Sequence, residues 1–271
     1  SDPIGMSGVR LEASVQIITG SATAIQNTIK CVEKADLKVA GLVLESLAAS
    51  YAILSEDEKN LGVCLIDMGG GITNLLYYSQ GSVHHASTIP VGGQHFTHDV
   101  AVGLRTPQVS ADDLKKKYGC AMASMISESE TIEVEGVGGR NPRTIPRKDL
   151  ADVIEARAEE ILSLVGNDIR MSGLLPLLGS GVVFTGGASQ LEGLVEMGEF
   201  VFDVPVRRGS PNKVKGLVDA VKSSEFATAV GLVLYALEQK KDTINQKMDN
   251  QFSESIDDVA KKVKSFFEQL F

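Results

Sequence analysis

The sequence predicts an α/β domain of two or three layers, built in βββαβα order with a helical insertion. Three observations carry this. Strand-like segments follow one another at Val63–Met68, Asn74–Ser79 and Ser82–Pro90, separated by glycine turns. A further apolar strand, Gly181–Thr185, runs into a Thr-Gly-Gly turn and then a helix. Long helical stretches lie between, and 43% of the 271 residues are hydrophobic, enough to bury a substantial core.

In chain order, Gly8–Thr19 alternates as a strand does, and Ala22–Ala35 reads as an amphipathic helix with Ile25, Ile29 and Val32 on one face. Val39–Leu44 reads as a short buried strand and Ser46–Leu54 as a helix of small residues. The charged run Ser55-Glu56-Asp57-Glu58-Lys59-Asn60 breaks the pattern and is expected to mark a domain boundary. The three strands follow, with turns at Gly69-Gly70-Gly71 and at Gln80-Gly81, the second suited to a hairpin. A helix is expected over His95–Leu104, another over Ala111–Tyr118, one or two strands near Thr131–Val137, and a long helix over Lys148–Met171. After Gly181–Thr185 come a helix starting near Leu191, a short strand at Val204–Val206 and a helix over Phe226–Leu237. Gln239–Ser255 is polar without apolar period and reads as a linker, and Ile256–Phe271 is periodic again.

A net charge of −9 repels a phosphate backbone, and no basic stripe interleaved with aromatics is present, which argues against nucleic acid as a partner. Cys31, Cys64 and Cys120 are odd in number and form no CxxC pair, so reduced core thiols are expected rather than a disulfide framework. No apolar run is long enough to span a bilayer. The chain opens Ser1-Asp2-Pro3 inside a strand-forming region, and a piece of a longer protein is expected.

Chemistry is suggested at the glycine turns. Asp67-Met68-Gly69-Gly70-Gly71-Ile72-Thr73-Asn74 follows a buried strand, where backbone N–H groups free of Cβ atoms can cradle phosphate and Asp67 can hold a water on Mg²⁺. Taken alone, a triple glycine reads more readily as a hairpin turn with a capping aspartate. Val182-Val183-Phe184-Thr185-Gly186-Gly187-Ala188-Ser189 would let a nucleoside approach the backbone, or is an ordinary strand-to-helix turn. Thr88-Ile89-Pro90-Val91-Gly92-Gly93-Gln94 ends a strand in a glycine pair ahead of a helix, and Ala227-Thr228-Ala229-Val230-Gly231 is a small-residue helix suited to close packing.

Together these four elements resemble the actin/Hsp70/sugar-kinase superfamily, and within it the FtsA family of bacterial cell-division actin homologues. The resemblance covers nearly the whole chain; its most specific part is Gly5-Met6-Ser7-Gly8-Val9-Arg10-Leu11-Glu12, joined by Leu47-Ala48-Ala49-Ser50, Ile89-Pro90-Val91-Gly92-Gly93 and Glu155-Ala156-Arg157. It implies an actin-like ATPase of RNase H-like order with an inserted subdomain. The implied division is 1–22 as the end of a small inserted domain, 23–60 as the rest of the first lobe, 61–106 with 172–238 as the second-lobe nucleotide core, 107–171 as its insertion, 239–255 as linker and 256–271 as membrane-targeting helix. ATP and Mg²⁺ are the implied ligands. Asp67 would organise Mg²⁺-bound water; Gly69, Gly70, Gly71 and Thr73 would meet the phosphates. Gly93 and Gln94 would lie by the ribose, Lys115 would flank the adenine, and Gly186, Gly187 and Ala188 would line the nucleoside. Lys115-Lys116-Lys117 also reads as a solvated face.

Two departures from the family pattern stand out. Gly71-Ile72-Thr73-Asn74 replaces a Gly-Thr-Thr-Asp-like run, and Asn74 lacks the carboxylate that could orient a water, so hydrolysis is expected to be slow at most, with Asp67 and Asn74 the only catalytic candidates. The family's first phosphate hairpin is not found, and upstream sequence is expected to supply it.

In the tail, Val263, Phe266, Phe267, Leu270 and Phe271 form the apolar face of an amphipathic helix, whose burial would contribute about 8–12 kcal/mol gross before ordering costs. The spacing alone fits docking on the protein's own core equally well; the resemblance favours a membrane. It further implies self-association into protofilaments, contact of the insertion with the FtsZ C-terminal tail, other divisome partners, and a peripheral location on the cytoplasmic side of the inner membrane at the division septum. Arg157 and Glu160 are candidates for the FtsZ contact and equally a solvated helix face. A PilM-type adaptor and a small-molecule kinase of the same superfamily are the competing readings. His84, His85, His95 and His98, with Asp99, read as surface or hairpin residues rather than metal ligands.

Overall fold

The computed structural model describes residues 6–12, 15–214 and 221–240. Its centre is a five-stranded sheet in the order β3-β2-β1-β6-β7, formed by β1 (Val63–Met68), β2 (Thr73–Ser79), β3 (Ser82–Ile89), β6 (Val182–Thr185) and β7 (Val206–Arg208). β1, β2 and β3 pair antiparallel through tight turns, and Gln80 and Gly81 both take positive φ (51° and 76°) as a type I′ hairpin turn requires. β6 joins the other edge of β1 in parallel, and β7 joins β6 in parallel. This is the strand order expected of an RNase H-like core.

Alternation along the strands divides the sheet into two faces. Cys64, Ile66, Met68, Leu75, Tyr77, Val182 and Phe184 enter one apolar cluster, covered by α4 (Gly93–Gly103), α6 (Arg147–Ser172) and α7 (Leu194–Phe202). Val63, Leu65, Leu76, Tyr78 and Val183 enter a second, beneath α2 (Glu45–Ile53) and the last helix among the described residues, α8, over 227–240. The helices α2 and α8 meet at backbone distance: a Cβ on Gly231 would stand 1.8 Å from the Ala48 carbonyl oxygen. Between β3 and β6 the insertion supplies α5 (Gln108–Tyr118), a separate β4–β5 hairpin (Thr131–Val134, Arg143–Pro146) and α6.

Four elements differ from expectation. The described parts of Gly8–Thr19 form no strand and are exposed, and Val39–Leu44 is neither strand nor buried. A strand is stable only beside a neighbour, and no described strand pairs with either segment. The amphipathic α1 (Ala22–Lys34) forms as expected, capped by Ser21, with no residue buried. The charged run is a helix, α3 (Glu56–Leu61), begun by a reciprocal Ser55–Glu58 capping box. β7 starts two residues late, because Pro205 has no N–H for the ladder and contributes only its carbonyl, to Val182 N (2.9 Å). The predicted linker and tail, beyond 240, lie outside the described residues.

Candidate functional site

Asp67 stands near the end of β1, opposite Asn74 of β2 on one side and Thr185 of β6 on the other. It is only 5% exposed, and its Oδ2 accepts a hydrogen bond from Thr228 Oγ1 of α8 at 3.2 Å. Gly186 turns directly behind it at φ 83°, where a Cβ would fall 2.4 Å from Asp67 Oδ1; glycine alone satisfies both the conformation and the space. Burial pushes the Asp67 carboxyl up to about 6, the Glu45 carboxylate pushes the same way, and the Thr228 hydrogen bond opposes them. Glu45, in the first turn of α2, accepts from Asn74 Nδ2 (3.1 Å), while Asn74 Oδ1 accepts from Thr88 Oγ1 (2.8 Å). Two carboxylates from different elements therefore flank one strand end.

The glycine hairpin beyond Asp67 is clamped by the start of α4. Gly93 N donates to Gly69 O at 2.9 Å and Gln94 N to Gly70 O at 2.7 Å. The approach is so close that a Cβ on Gly92 would lie 2.7 Å from Gly69 O. The first amides of α4 are thereby consumed by the hairpin carbonyls, whereas the Gly70 and Gly71 amides donate to no described residue.

A cavity of about 530 Å³ opens between this hairpin, α4, α5 and the turn after β6. Gly69, Gly70, Gly93, Gln94, Gly187 and Ala188 line it, and Lys115, Lys116, Asp112, Leu191, Glu192 and Glu225 are also on its wall. Lys115 Nζ is held by Thr97 Oγ1 (2.7 Å), Asp112 Oδ1 (2.7 Å) and Gly93 O (3.2 Å), and Lys116 Nζ by Asp112 Oδ2 (2.6 Å). Burial works to raise the Asp112 carboxyl, but hydrogen bonds from Lys115, Lys116 and Thr97 outweigh it and hold the group well below the usual carboxylate range. Arg147, at the start of α6, ties the insertion to this wall. Its guanidinium reaches Tyr118 O (2.8 Å), Glu130 (2.9 Å) and Glu192 (2.5 Å).

Two glycine corners and an α4 start thus meet on one cavity in an RNase H-like core, and the Cell division protein FtsA family model matches residues 64–231. The chain belongs to the FtsA family. It is 44% identical over 247 residues to Cell division protein FtsA of Pseudomonas aeruginosa, covering 91% of this chain and 59% of the relative. It is 38% identical over 277 residues to that of Escherichia coli K12, covering 100% of this chain and 66% of the relative. The FtsA-family chain thus spans about six tenths of the length of these relatives. Among solved structures, MreB5 of Spiroplasma citri bound to ADP is similar at a TM-score of 0.64 and 19% identity, over 84% of this chain and 69% of that one. A PilM-PilN type IV pilus biogenesis complex is similar at 0.59 and 16%, over 78% and 57%. These last two establish the fold alone.

Of the residues singled out in this FtsA-family sequence, Gly69, Gly70, Gly93, Gln94, Lys115, Gly187 and Ala188 share the cavity wall. Asp67 and Gly186 lie just behind it, and Gly71 is at the exposed hairpin tip. Thr73 is fully buried, and its hydroxyl donates to Val91 O at 2.7 Å. Asn74 faces Glu45 instead of the cavity. Arg157 of α6 is bound to Asp99 of α4 and to Glu160, so its charge is already matched within the molecule. His95 accepts from Gly92 N (3.1 Å) as a cap, and no group of three His, Cys, Asp or Glu ligands is gathered among the described residues. Sequence reasoning missed Glu45, Asp112, Glu192 and Glu225. None belongs to a motif; each reaches the site on a helix or loop whose position only the fold determines.

Proposed function

We propose that this chain binds ATP with Mg²⁺ in the 530 Å³ cavity, assembles into protofilaments and holds FtsZ filaments at the cytoplasmic face of the membrane through residues 256–271. One observation carries the nucleotide reading: hairpin, α4 start and post-β6 turn, from three separate parts of the chain, line the same cavity. The unpaired Gly70 and Gly71 amides suit phosphate oxygens, and the Ala188–Leu191 wall suits a base. Asp67 and Glu45 offer hard oxygen atoms to Mg²⁺ through water, as that ion prefers. When bound, Mg²⁺ would neutralise phosphate charge. Ionised Asp67 accepts from its waters more strongly than the neutral acid does, so Mg²⁺-dependent affinity should weaken as pH falls through about 6. With Asn74 paired to Glu45, no free carboxylate stands opposite Asp67 on β2, in keeping with slow turnover. The ADP held by the related MreB5 fold and the MamK double helical filament, another similar structure, support the nucleotide and polymer parts.

Titration calorimetry with ATP tests the site. Single-site binding is expected, and Gly187→Val, whose side chain would fill the cavity without backbone strain, should weaken it about 100-fold. Unchanged affinity in that variant would remove the cavity from the mechanism.

A further inference from the structure

Three carboxylates line the cavity, and two are already spent. Asp112 is shared between Lys115 and Lys116, and Glu192 is held by Arg147. The Glu225 carboxylate makes no hydrogen bond or ion pair with any described residue. Its backbone is nonetheless fixed. The preceding Ser224 donates to Gly186 O (3.0 Å), receives a hydrogen bond from Ser189 Oγ (3.2 Å), and accepts at its carbonyl from Gly186 N (3.2 Å). Glu225 Cβ stands 3.9 Å from where a Cβ on Gly187 would be. That position follows directly on the Gly186 corner packed against Asp67, and precedes Leu191 and Glu192 at the insertion side. Across the cavity, the Lys116 ammonium is favoured first by Asp112 and also by the Glu225 charge.

We propose that Glu225 reads the sugar: its carboxylate accepts hydrogen bonds from the 2′- and 3′-hydroxyls of a bound ribonucleotide and sets a preference for ribonucleotides over deoxyribonucleotides. The inference rests on the nucleotide reading of the cavity. A carboxylate offers only acceptors, and a vicinal diol offers two adjacent donors. Phosphate offers acceptors and like charge, so an unpaired carboxylate excludes it from this stretch of wall. An acidic side chain on a ribose hydroxyl is the same solution that dinucleotide-binding folds use.

The test titrates the 271-residue chain with ATP, 2′-deoxyATP and 3′-deoxyATP, before and after Glu225→Ala. Wild-type chain should prefer ATP over either deoxynucleotide by about tenfold, the worth of one charge-assisted hydrogen bond. Glu225→Ala removes both hydrogen bonds, so ATP affinity should fall about 100-fold and that of each deoxynucleotide about tenfold, and the preference collapses. Glu225 is exposed, so the variant should fold as the parent does. A preference that survives Glu225→Ala overturns the assignment while leaving the nucleotide site standing. So does an equal loss for all three ligands, which would place Glu225 on the base or the phosphates. Absence of ATP binding in the parent overturns the nucleotide reading, and this inference with it.

Discussion

Asp67 is a carboxylate whose surroundings favour its neutral form. Its folded value is raised from 3.8 to about 6 by burial first and Glu45 second. The stability it contributes is therefore complete below about pH 4 and is lost as pH rises through about 6, at a cost of about 3 kcal/mol once ionised. Asp67→Asn keeps the Thr228 contact and removes that cost. We expect it to raise stability at pH 7.5 by about 1–3 kcal/mol and to flatten the pH dependence between 4 and 6, as read by thermal denaturation. The same variant should lose the Mg²⁺ dependence of ATP affinity; a destabilised variant with an unaltered pH profile would contradict the assignment. Gly92 stands at the other extreme, defined by the space it leaves. Gly92→Ala drives a Cβ into Gly69 O and should cost about 1–3 kcal/mol in denaturant unfolding while displacing the glycine hairpin. Retained stability and affinity would mean that the hairpin yields freely. The glycines were legible from sequence because the turns they permit are local. Glu45 was not, since its nearness to Asp67 exists only after α2 packs on the sheet.

Among elements, β1, β2 and β3 each repeat their pattern against a neighbour close in sequence. β1, β2 and β3 are linked by short turns, and the alternation of Leu75, Leu76, Tyr77 and Tyr78 between the two cores declares their register. Gly8–Thr19 and Val39–Leu44 carry equally good strand patterns but meet no partner among the described residues, and a periodicity cannot announce its own neighbour. α3 shows the reverse failure. Its charge density suggested a break, yet the Ser55–Glu58 capping box was readable, and Lys59 lies over the Tyr51 and Tyr78 rings at 5.1 and 5.5 Å. The α2–α8 contact makes the sharpest prediction at this scale. Gly231→Ala pushes a Cβ into the Ala48 carbonyl and must separate the helices that close the second core; a loss of about 2–4 kcal/mol is expected in urea unfolding. A loss under about 0.5 kcal/mol would show that the contact is not tight.

For the molecule as a whole, strand order creates the site. β1 and β6 lie side by side in parallel though more than a hundred residues separate them, so the Asp67 and Gly186 corners come together at the C-terminal ends of the two strands. The insertion that separates them in sequence folds back through Arg147 to form the far wall. No local signal in the sequence states that return. The proposed membrane attachment falls to residues 256–271, beyond the described part. The chain should sediment with liposomes and remain in the supernatant once those residues are removed; equal sedimentation of both would set the anchor elsewhere. The most direct measurement is amide hydrogen exchange with and without Mg²⁺-ATP, followed at 69–72 and at 186–191. If both corners grip one nucleotide, exchange should slow at the two segments together and to the same saturation midpoint. Protection of one segment alone, or of neither at saturating ATP, would contradict a shared site.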